Sequence, residues 1–226
     1  MQRRQSEQYE MFVGDAEFGN TRDGYQEVRL ATSRGDIDCR YYRAPNAQKG
    51  AIWVGGVGGG FDTPAQGIYP RLCEDLVSEG TSSLRVRFRH PTILTEAVLD
   101  VLAGLNYLEN EGVRAAALIG HSFGGAVVIQ AAAQAPLVRT IVTLATQSYG
   151  TTPVSNLGPG CSVLAIHGLA DRVLPYSCSE AVARNAHEPK KLILYEGADH
   201  SLDEVAEEVY RAVRDWIVER LSEATR

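Results

Sequence analysis

The sequence lacks an apolar run long enough to cross a lipid bilayer, which takes about 20 residues in a helix. Its N-terminal residues are polar and charged, and no apolar stretch of signal-peptide length follows Arg3 and Arg4. We therefore expect a soluble, cytoplasmic protein that does not associate with membranes.

Positive charge is also scarce. The chain has 22 Lys and Arg against 28 Asp and Glu, and its formal net charge is −6 at pH 7. A surface that binds nucleic acid neutralises phosphates with clustered Lys and Arg. The charge balance therefore argues against nucleic acid as a partner.

Cysteine is sparse, and the usual signatures of metal and dinucleotide sites are missing. The four cysteines form neither a CxxC pair nor a Cys/His cluster; they are Cys39, Cys73, Cys161 and Cys178. No dinucleotide-binding fingerprint is present. We expect free buried thiols, with a Cys161–Cys178 disulfide as the alternative, and neither a metal nor a cofactor.

The length and composition suit a single globular domain, with 226 residues of which 44% are hydrophobic. Residues 1–24 mix charge and glycine without periodicity, which predicts a loosely held N-terminal arm before a domain over residues 25–226. Two strand-like runs open that domain, Gln26–Thr32 and Asp36–Tyr42. The glycine-containing turn between them predicts a hairpin.

After the hairpin, short apolar runs alternate with segments of helical periodicity. The predicted strands are Gly50–Val54, Ser83–Phe88, Ala115–Ile119, Val138–Leu144, Ser162–His167 and Lys191–Tyr195. The predicted helices are Tyr69–Ser78, Leu94–Asn110, Phe123–Gln134, Ser177–Asn185 and Asp203–Leu221. This alternation is typical of βαβ units and predicts an α/β fold with a mostly parallel central sheet flanked by helices.

A G-x-S-x-G motif stands between one of these strands and the helix that follows it. It reads G-H-S-F-G at residues 120–124. Glycines on both sides permit a sharp strand-to-helix turn that lifts the hydroxyl of Ser122 above the sheet edge. The strand before the motif and the helix after it predict that Ser122 is a nucleophile, and an ordinary strand-to-helix turn is the alternative.

A serine nucleophile needs a base within reach and a carboxylate behind that base. Asp171 follows the strand that ends near His167, and His200 follows the last strand. We predict that Asp171 is the acid and His200 the base, with Asp199 as a rival acid. His121 and His167 are interpreted as residues that brace the loops.

The order Ser122, Asp171, His200 and the segments H-G-x-x-D-x-x-x-P and G-x-x-H resemble the α/β-hydrolase superfamily over roughly residues 26–221. The resemblance implies an α/β-hydrolase fold and a small serine hydrolase that cleaves esters or thioesters through an acyl-serine intermediate. A dienelactone-hydrolase-like activity is also implied, although that family commonly carries Cys at the nucleophile position.

The resemblance also implies an oxyanion hole, in which backbone N–H groups stabilise the tetrahedral intermediate. One donor is the amide of Phe123, which follows the nucleophile. The second comes from the glycine-rich residues 55–60, which resemble the family's H-G-x-G loop with Gly55 in place of His. We predict Val57 as this donor and Gly58 as the alternative.

Residues 84–90 resemble a strand of many small hydrolases, with Arg87 and His90 replacing the usual Asn and Gly. Because strand ends point into the ligand crevice, Arg89 or His90 could meet an anionic group of the substrate. The alternative is that Arg89 braces a loop through carboxylates. Further candidate substrate-binding residues are Gly58, Phe61 and Tyr149.

The connection at residues 145–160 is too short for the helical lid that many members of the superfamily carry. We therefore expect no sizeable lid and at most a rim around an open site. The expected substrate is a small-molecule ester or other acyl compound. A peptidase or amidase with the same triad, and a binding module without catalysis, remain as alternatives, and the sequence does not indicate an oligomeric state.

Overall fold

Strands and helices alternate along most of the chain, and a computed structural model describes residues 10–225. The strands are β1 Val13–Arg22, β2 Tyr25–Thr32, β3 Ile37–Tyr42, β4 Lys49–Val54, β5 Thr81–Val86, β6 Ala115–His121, β7 Val138–Leu144, β8 Ser162–Gly168 and β9 Lys190–Tyr195. The helices are α1 Ile68–Ser78, α2 Leu94–Asn110, α3 Phe123–Ala132, α4 Ser177–Asn185 and α5 Ala206–Ala224. These elements confirm the predicted α/β class.

The nine strands form one sheet in the order β1-β2-β3-β5-β4-β6-β7-β8-β9. The first three strands and β5 are antiparallel neighbours, and β2 and β3 form the predicted hairpin. From β5 to β9 all neighbours are parallel. The sheet is therefore mostly parallel, as predicted.

The predicted N-terminal arm over residues 1–24 is wrong where the structure describes it. Val13–Arg22 forms edge strand β1, which pairs with β2 in registers such as Ala16 opposite Leu30. Most of its side chains are exposed, so the strand has no apolar periodicity to reveal it. Its place in the sheet depends on backbone hydrogen bonds to β2. The first nine residues lie outside the described part of the chain.

Apolar residues fill both faces of the sheet. Every residue of β6 and β8 is buried, as expected of parallel strands covered by helices on both sides. Helices α2, α3 and α4 pack on one face, where Val101, Val127 and Val182 belong to one cluster. Helices α1 and α5 pack on the other face through residues such as Leu72 and Ile217.

Some element boundaries differ from the prediction. Strand β5 ends at Val86 and not at Phe88, and α3 ends at Ala132. The last helix begins at Ala206, because Asp203–Val205 forms a separate 3-10 turn. The carboxylate of Asp203 accepts a hydrogen bond from the backbone N–H of Gln66 at 2.7 Å, which ties this turn to a distant loop.

The carboxyl ends of the parallel strands meet at one edge of the sheet. The glycine-rich loop follows β4, Ser122 follows β6, Asp171 follows β8 and His200 follows β9. Between β7 and β8 lies only a short connection with a 3-10 turn at Thr152–Asn156, so the described chain has no large lid. This edge is therefore open.

Two smaller expectations concern cysteine and membranes. All four cysteines are free and buried, as predicted, and no disulfide joins them. Among the described residues, no helix has the length and apolar character that a membrane span requires.

The docking of α5 provides a test of the packing. Ile217 is fully buried against the sheet, whereas the neighbouring Glu219 is exposed. Ile217→Ala should lower the free energy of unfolding by about 2–5 kcal/mol, since it leaves a cavity. Glu219→Ala is the control and should change it by less than about 0.5 kcal/mol. Denaturation in urea measures both, and equal effects would show that α5 is not docked through this face.

Candidate active site

The turn between β6 and α3 presents Ser122 in a strained backbone conformation, with φ 54° and ψ −117°. Such a φ is rare for a residue with a side chain and costs of order 1–3 kcal/mol. The backbone N–H of Ser122 donates to the carbonyl of Leu144 at 2.8 Å, which anchors the turn to β7. The serine therefore stands at the N-terminus of a buried helix.

Glycine is required on both sides of this serine. A Cβ atom on Gly120 would lie 2.1 Å from the carbonyl oxygen of Gly124. A Cβ atom on Gly124 would lie 2.4 Å from the carbonyl oxygen of Gly55 in the loop after β4. Both distances are far below van der Waals contact, so the turn and the glycine-rich loop can approach only without side chains.

Asp171 and His200 are in direct contact, although 28 residues separate them in the chain. The Nδ1 of His200 lies 2.8 Å from Oδ2 of Asp171. The other oxygen, Oδ1, accepts the backbone N–H groups of Val173 and Leu174, both at 2.8 Å. Within the described residues, Nε2 of His200 makes no hydrogen bond, so this nitrogen is open to a proton donor.

The Asp171 side chain is only 1% exposed, yet its carboxylate is the favoured form. Burial opposes ionisation and raises the pKa, but hydrogen bonds from Leu174, His200 and Val173 lower it further. The net result is a pKa below the ordinary value of a carboxyl group. A buried negative charge thus faces the imidazole of His200.

Asp199, the rival acid, has a different set of partners. Its Oδ2 accepts Nε of Arg172 at 2.7 Å, and its Oδ1 accepts the backbone N–H groups of Arg172 and His200. The hydrogen bonds from Arg172 hold the pKa of Asp199 well below its usual range. Asp199 therefore supports the loop before His200 and does not contact the imidazole ring.

His167 lies on the other side of the acid. Its Nε2 is 2.9 Å from Oδ2 of Asp171, and its Nδ1 is 2.7 Å from the hydroxyl of Ser179. The ring is fully buried, and this burial lowers its pKa. A neutral ring that donates from Nε2 and accepts from Ser179 satisfies both contacts, which gives the predicted bracing residue a specific partner.

His121 braces the base. Its Nε2 lies 3.1 Å from the backbone carbonyl of His200, and the centres of the two rings are 4.9 Å apart. Ser122 is the next residue in the chain, so the turn that carries the serine also contacts the loop that carries the imidazole. Gly56 lies beside the serine as well, since a Cβ atom built on it would be 3.4 Å from Cβ of Ser122.

A cleft of about 480 Å³ lies beside the serine turn. Its lining residues come from the glycine-rich loop, the start of α2, the serine turn and the loop after β7; they are Val57, Thr92, Ile93, Leu94, Thr95, Phe123, Gln147 and Tyr149. The two predicted oxyanion donors, Val57 and Phe123, both line it. The predicted substrate-binding residue Tyr149 does as well.

The model of the dienelactone hydrolase family matches residues 77–217, more than half of the chain, and this stretch includes Ser122, Asp171 and His200. The chain belongs to the dienelactone hydrolase family. Membership supports a hydrolase of the ester-hydrolysing kind and confirms the resemblance to α/β hydrolases.

Solved structures share the fold of this dienelactone hydrolase family member. Est1E from Butyrivibrio proteoclasticus superposes with a TM-score of 0.71 at 18% identity, covering 92% of this chain and 100% of its own. A dienelactone hydrolase from Anabaena variabilis gives 0.75 at 16% identity, covering 88% and 99%. These likenesses establish the α/β-hydrolase fold.

A curated relative matches a smaller region. It is the dihydrolipoyllysine-residue acetyltransferase component of an acetoin cleaving system from Cupriavidus necator, 29% identical over 124 residues. The match covers 50% of this chain and 31% of the relative. The aligned region thus spans about a third of the relative's length.

Arg89 does not line the cleft, and its contacts fit the alternative role as a brace. Its side chain is only 7% exposed and pairs with Asp100, which is fully buried, and with Glu96 at 3.0 Å. A further guanidinium nitrogen donates to the backbone carbonyl of Arg34 at 2.6 Å. Both carboxylates lie on α2, one turn apart, so Arg89 joins the chain after β5 to that helix.

Three other predicted substrate-binding residues do not line the cleft. The Phe61 ring stacks on the guanidinium of Arg40 at 4.2 Å and lines a separate pocket against the N-terminal hairpin. His90 and Gly58 are exposed, and neither lines the cleft. A residue that sequence reasoning missed is Ile93, which lies in the cleft wall; no motif marks it, and only its position after the end of β5 could have suggested a role.

The Arg89 pair provides a stability test. Arg89→Gln should lower the free energy of unfolding by about 3–5 kcal/mol, because it leaves the buried Asp100 carboxylate without its partner. Arg87→Gln is the matched control, since Arg87 forms an exposed pair with Asp38 that contributes about 0–1 kcal/mol. Chemical denaturation compares the two variants, and equal losses would contradict the bracing role.

Burial of His121 and His167 also predicts a pH dependence. Burial lowers the pKa of both rings in the folded protein, while in the unfolded chain their pKa is about 6.5. Below that pH the unfolded state binds protons that the folded state excludes, so stability falls as the pH drops from 6.5 towards the folded values.

The expected slope is at most about 1.4 kcal/mol per pH unit for each histidine. Urea denaturation between pH 7 and pH 5 measures it, and the decline should be shallower in His121→Gln than in the wild type. A free energy of unfolding that does not decline over this interval would show that neither ring is held neutral.

Proposed function

We propose that the protein hydrolyses a carboxylic ester or thioester through an acyl-serine intermediate, with Ser122 as nucleophile, His200 as base and Asp171 as acid. The observation that carries this proposal is the 2.8 Å contact between Nδ1 of His200 and Asp171, formed at the sheet edge where Ser122 emerges. This contact orients the imidazole so that Nε2 is available to the serine hydroxyl.

In the first half of the reaction, Ser122 Oγ attacks the carbonyl carbon of the ester and His200 Nε2 takes the hydroxyl proton. The charge of Asp171 stabilises the imidazolium that forms. The tetrahedral oxyanion accepts hydrogen bonds from the backbone N–H groups of Phe123 and Val57, each worth about 3–4 kcal/mol in the transition state. The C–O bond then breaks, and the imidazolium gives its proton to the leaving alcohol.

In the second half, water attacks the acyl group on Ser122. His200 removes a proton from this water and returns it to Ser122 Oγ when the acyl–serine bond breaks. The products are a carboxylic acid and the regenerated enzyme. No redox step is involved, so the cycle requires only the ester and water.

The nucleophile gives a direct test of the mechanism. A fluorophosphonate probe should label the wild type covalently and should not label Ser122→Ala, in which kcat for 4-nitrophenyl esters should fall by about 10⁵–10⁶-fold. Asp171→Asn should lower kcat by about 10³–10⁴-fold, because the imidazole loses its orientation. Asp199→Asn is the matched control and should have a much smaller effect.

Two results would contradict the proposal. Absence of labelling in the folded wild type would favour a binding module without catalysis. A panel that pairs 4-nitrophenyl esters with the corresponding anilides addresses the leaving group, and faster cleavage of the anilides would favour a peptidase or amidase.

A further inference from the structure

In the described structure, the cleft beside the serine turn is lined by exposed apolar side chains and by no charged residue, and we infer that it selects esters with an uncharged, apolar group next to the scissile carbonyl. The inference rests on the proposed esterase function and specifies its substrate class. A substrate that carries a carboxylate on that group should be disfavoured.

Large apolar side chains are exposed in the cleft walls. Val57 is 56% exposed, Ile93 is 49% exposed and Tyr149 is 76% exposed, which is unusual for large apolar side chains grouped in one place. All three line the cleft of about 480 Å³ together with Phe123. This volume lies within the range of small-molecule sites, and the walls would contact a benzyl-sized ring or a short acyl chain.

Hydrogen bonds and close packing hold the turn that carries Tyr149. Gln147 Nε2 donates to the backbone carbonyl of Tyr149 at 2.9 Å, and Gln130 Nε2 donates to that of Gly150 at 2.8 Å. Gly150 has φ 83°, and a Cβ atom there would lie 2.6 Å from the Leu94 side chain. The backbone of the turn is thus fixed against α2 and α3, which keeps Tyr149 at the cleft wall.

The cleft offers no cation to a charged substrate among the described residues that line it. None of the eight residues that line the cleft in the described structure is charged. The arginine nearest in sequence to its Thr92–Thr95 wall is Arg89, which is already paired, because it shares Glu96 with Arg34 and also pairs with Asp100. The two arginines and the two carboxylates together carry no net charge, so this cluster would not neutralise the charge of a substrate carboxylate.

A carboxylate bound in this cleft would lose part of its hydration without gaining a cationic partner, which is costly. The formal net charge of −6 adds a weak repulsion at long range. An uncharged apolar group buries its surface against Val57, Ile93 and Tyr149, and this burial stabilises the bound ester. Both effects favour the uncharged ester.

Both predicted oxyanion donors line the cleft, so the scissile carbonyl would lie at its edge. The substituent that the cleft holds is then on either the acyl side or the alcohol side of this carbonyl. Two matched pairs of substrates distinguish these sides. In the acyl pair, 4-nitrophenyl valerate is compared with mono-4-nitrophenyl glutarate. In the alcohol pair, benzyl acetate is compared with 4-(acetoxymethyl)benzoate.

The wild type should show a kcat/KM at least about tenfold higher for the uncharged ester in one of the two pairs. For that ester, Tyr149→Ser should lower kcat/KM by about tenfold, since it removes an aromatic contact. Phe12→Ser is the matched control, because Phe12 is 73% exposed and does not line the cleft. It should leave kcat/KM unchanged.

A gain of function tests the charge argument. Thr92→Arg places a cation in the cleft wall and should raise the ratio of kcat/KM for the charged over the uncharged ester by about fivefold to tenfold. Thr92→Gln has a long side chain without charge and should leave the ratio as it is. Thr92 is exposed, so both variants are expected to fold.

Three outcomes would overturn the inference. They are equal or higher kcat/KM for the charged ester in both pairs, no effect of Tyr149→Ser, and no difference between Thr92→Arg and Thr92→Gln. If the fluorophosphonate probe still labels Ser122 in these cases, the esterase proposal stands and only the substrate class is wrong. A wild type that is unlabelled and hydrolyses none of the four esters overturns both.

Discussion

The buried carboxylate of Asp171 is the group on which the geometry of the site depends. Its Oδ1 accepts two backbone N–H groups of its own loop, and its Oδ2 contacts the rings of both His167 and His200. These hydrogen bonds compensate the cost of burying a charge. They also link β8, the loop after it and the loop after β9. Displacement of this carboxylate would therefore release the imidazole of His200 and the surrounding backbone together.

The serine turn depends on a different constraint, which is the close approach of backbone to backbone. Gly120 and Gly124 have no room for a side chain, and the space that a Cβ atom of Gly124 would need is occupied by the loop after β4. The strained φ of Ser122 persists because the hydrogen bond to Leu144 and the packing of α3 hold it. The same contacts bring the glycine-rich loop, with its backbone N–H groups, beside the serine.

Charge at this edge of the sheet serves mainly to hold elements together. Arg89 joins the end of β5 to α2 through Glu96 and Asp100, and Arg172 joins the loop after β8 to Asp199. The residues that line the cleft beside the serine turn are uncharged. In combination with the short connection after β7, this leaves an open cleft of uncharged character in a protein whose total charge is negative.

The sequence by itself determined the strand and helix order, the serine turn and the candidate triad, because periodicity and glycine requirements are local properties of the chain. Tertiary structure decided the rest. Strand β1 exists through pairing with β2, Arg89 is a brace because α2 places Asp100 against it, and Ile93 lines the cleft because the loop after β7 folds over α2. Each of these roles depends on a contact with a residue distant in the chain. Such contacts are set by tertiary packing, so no pattern in the local sequence indicates them.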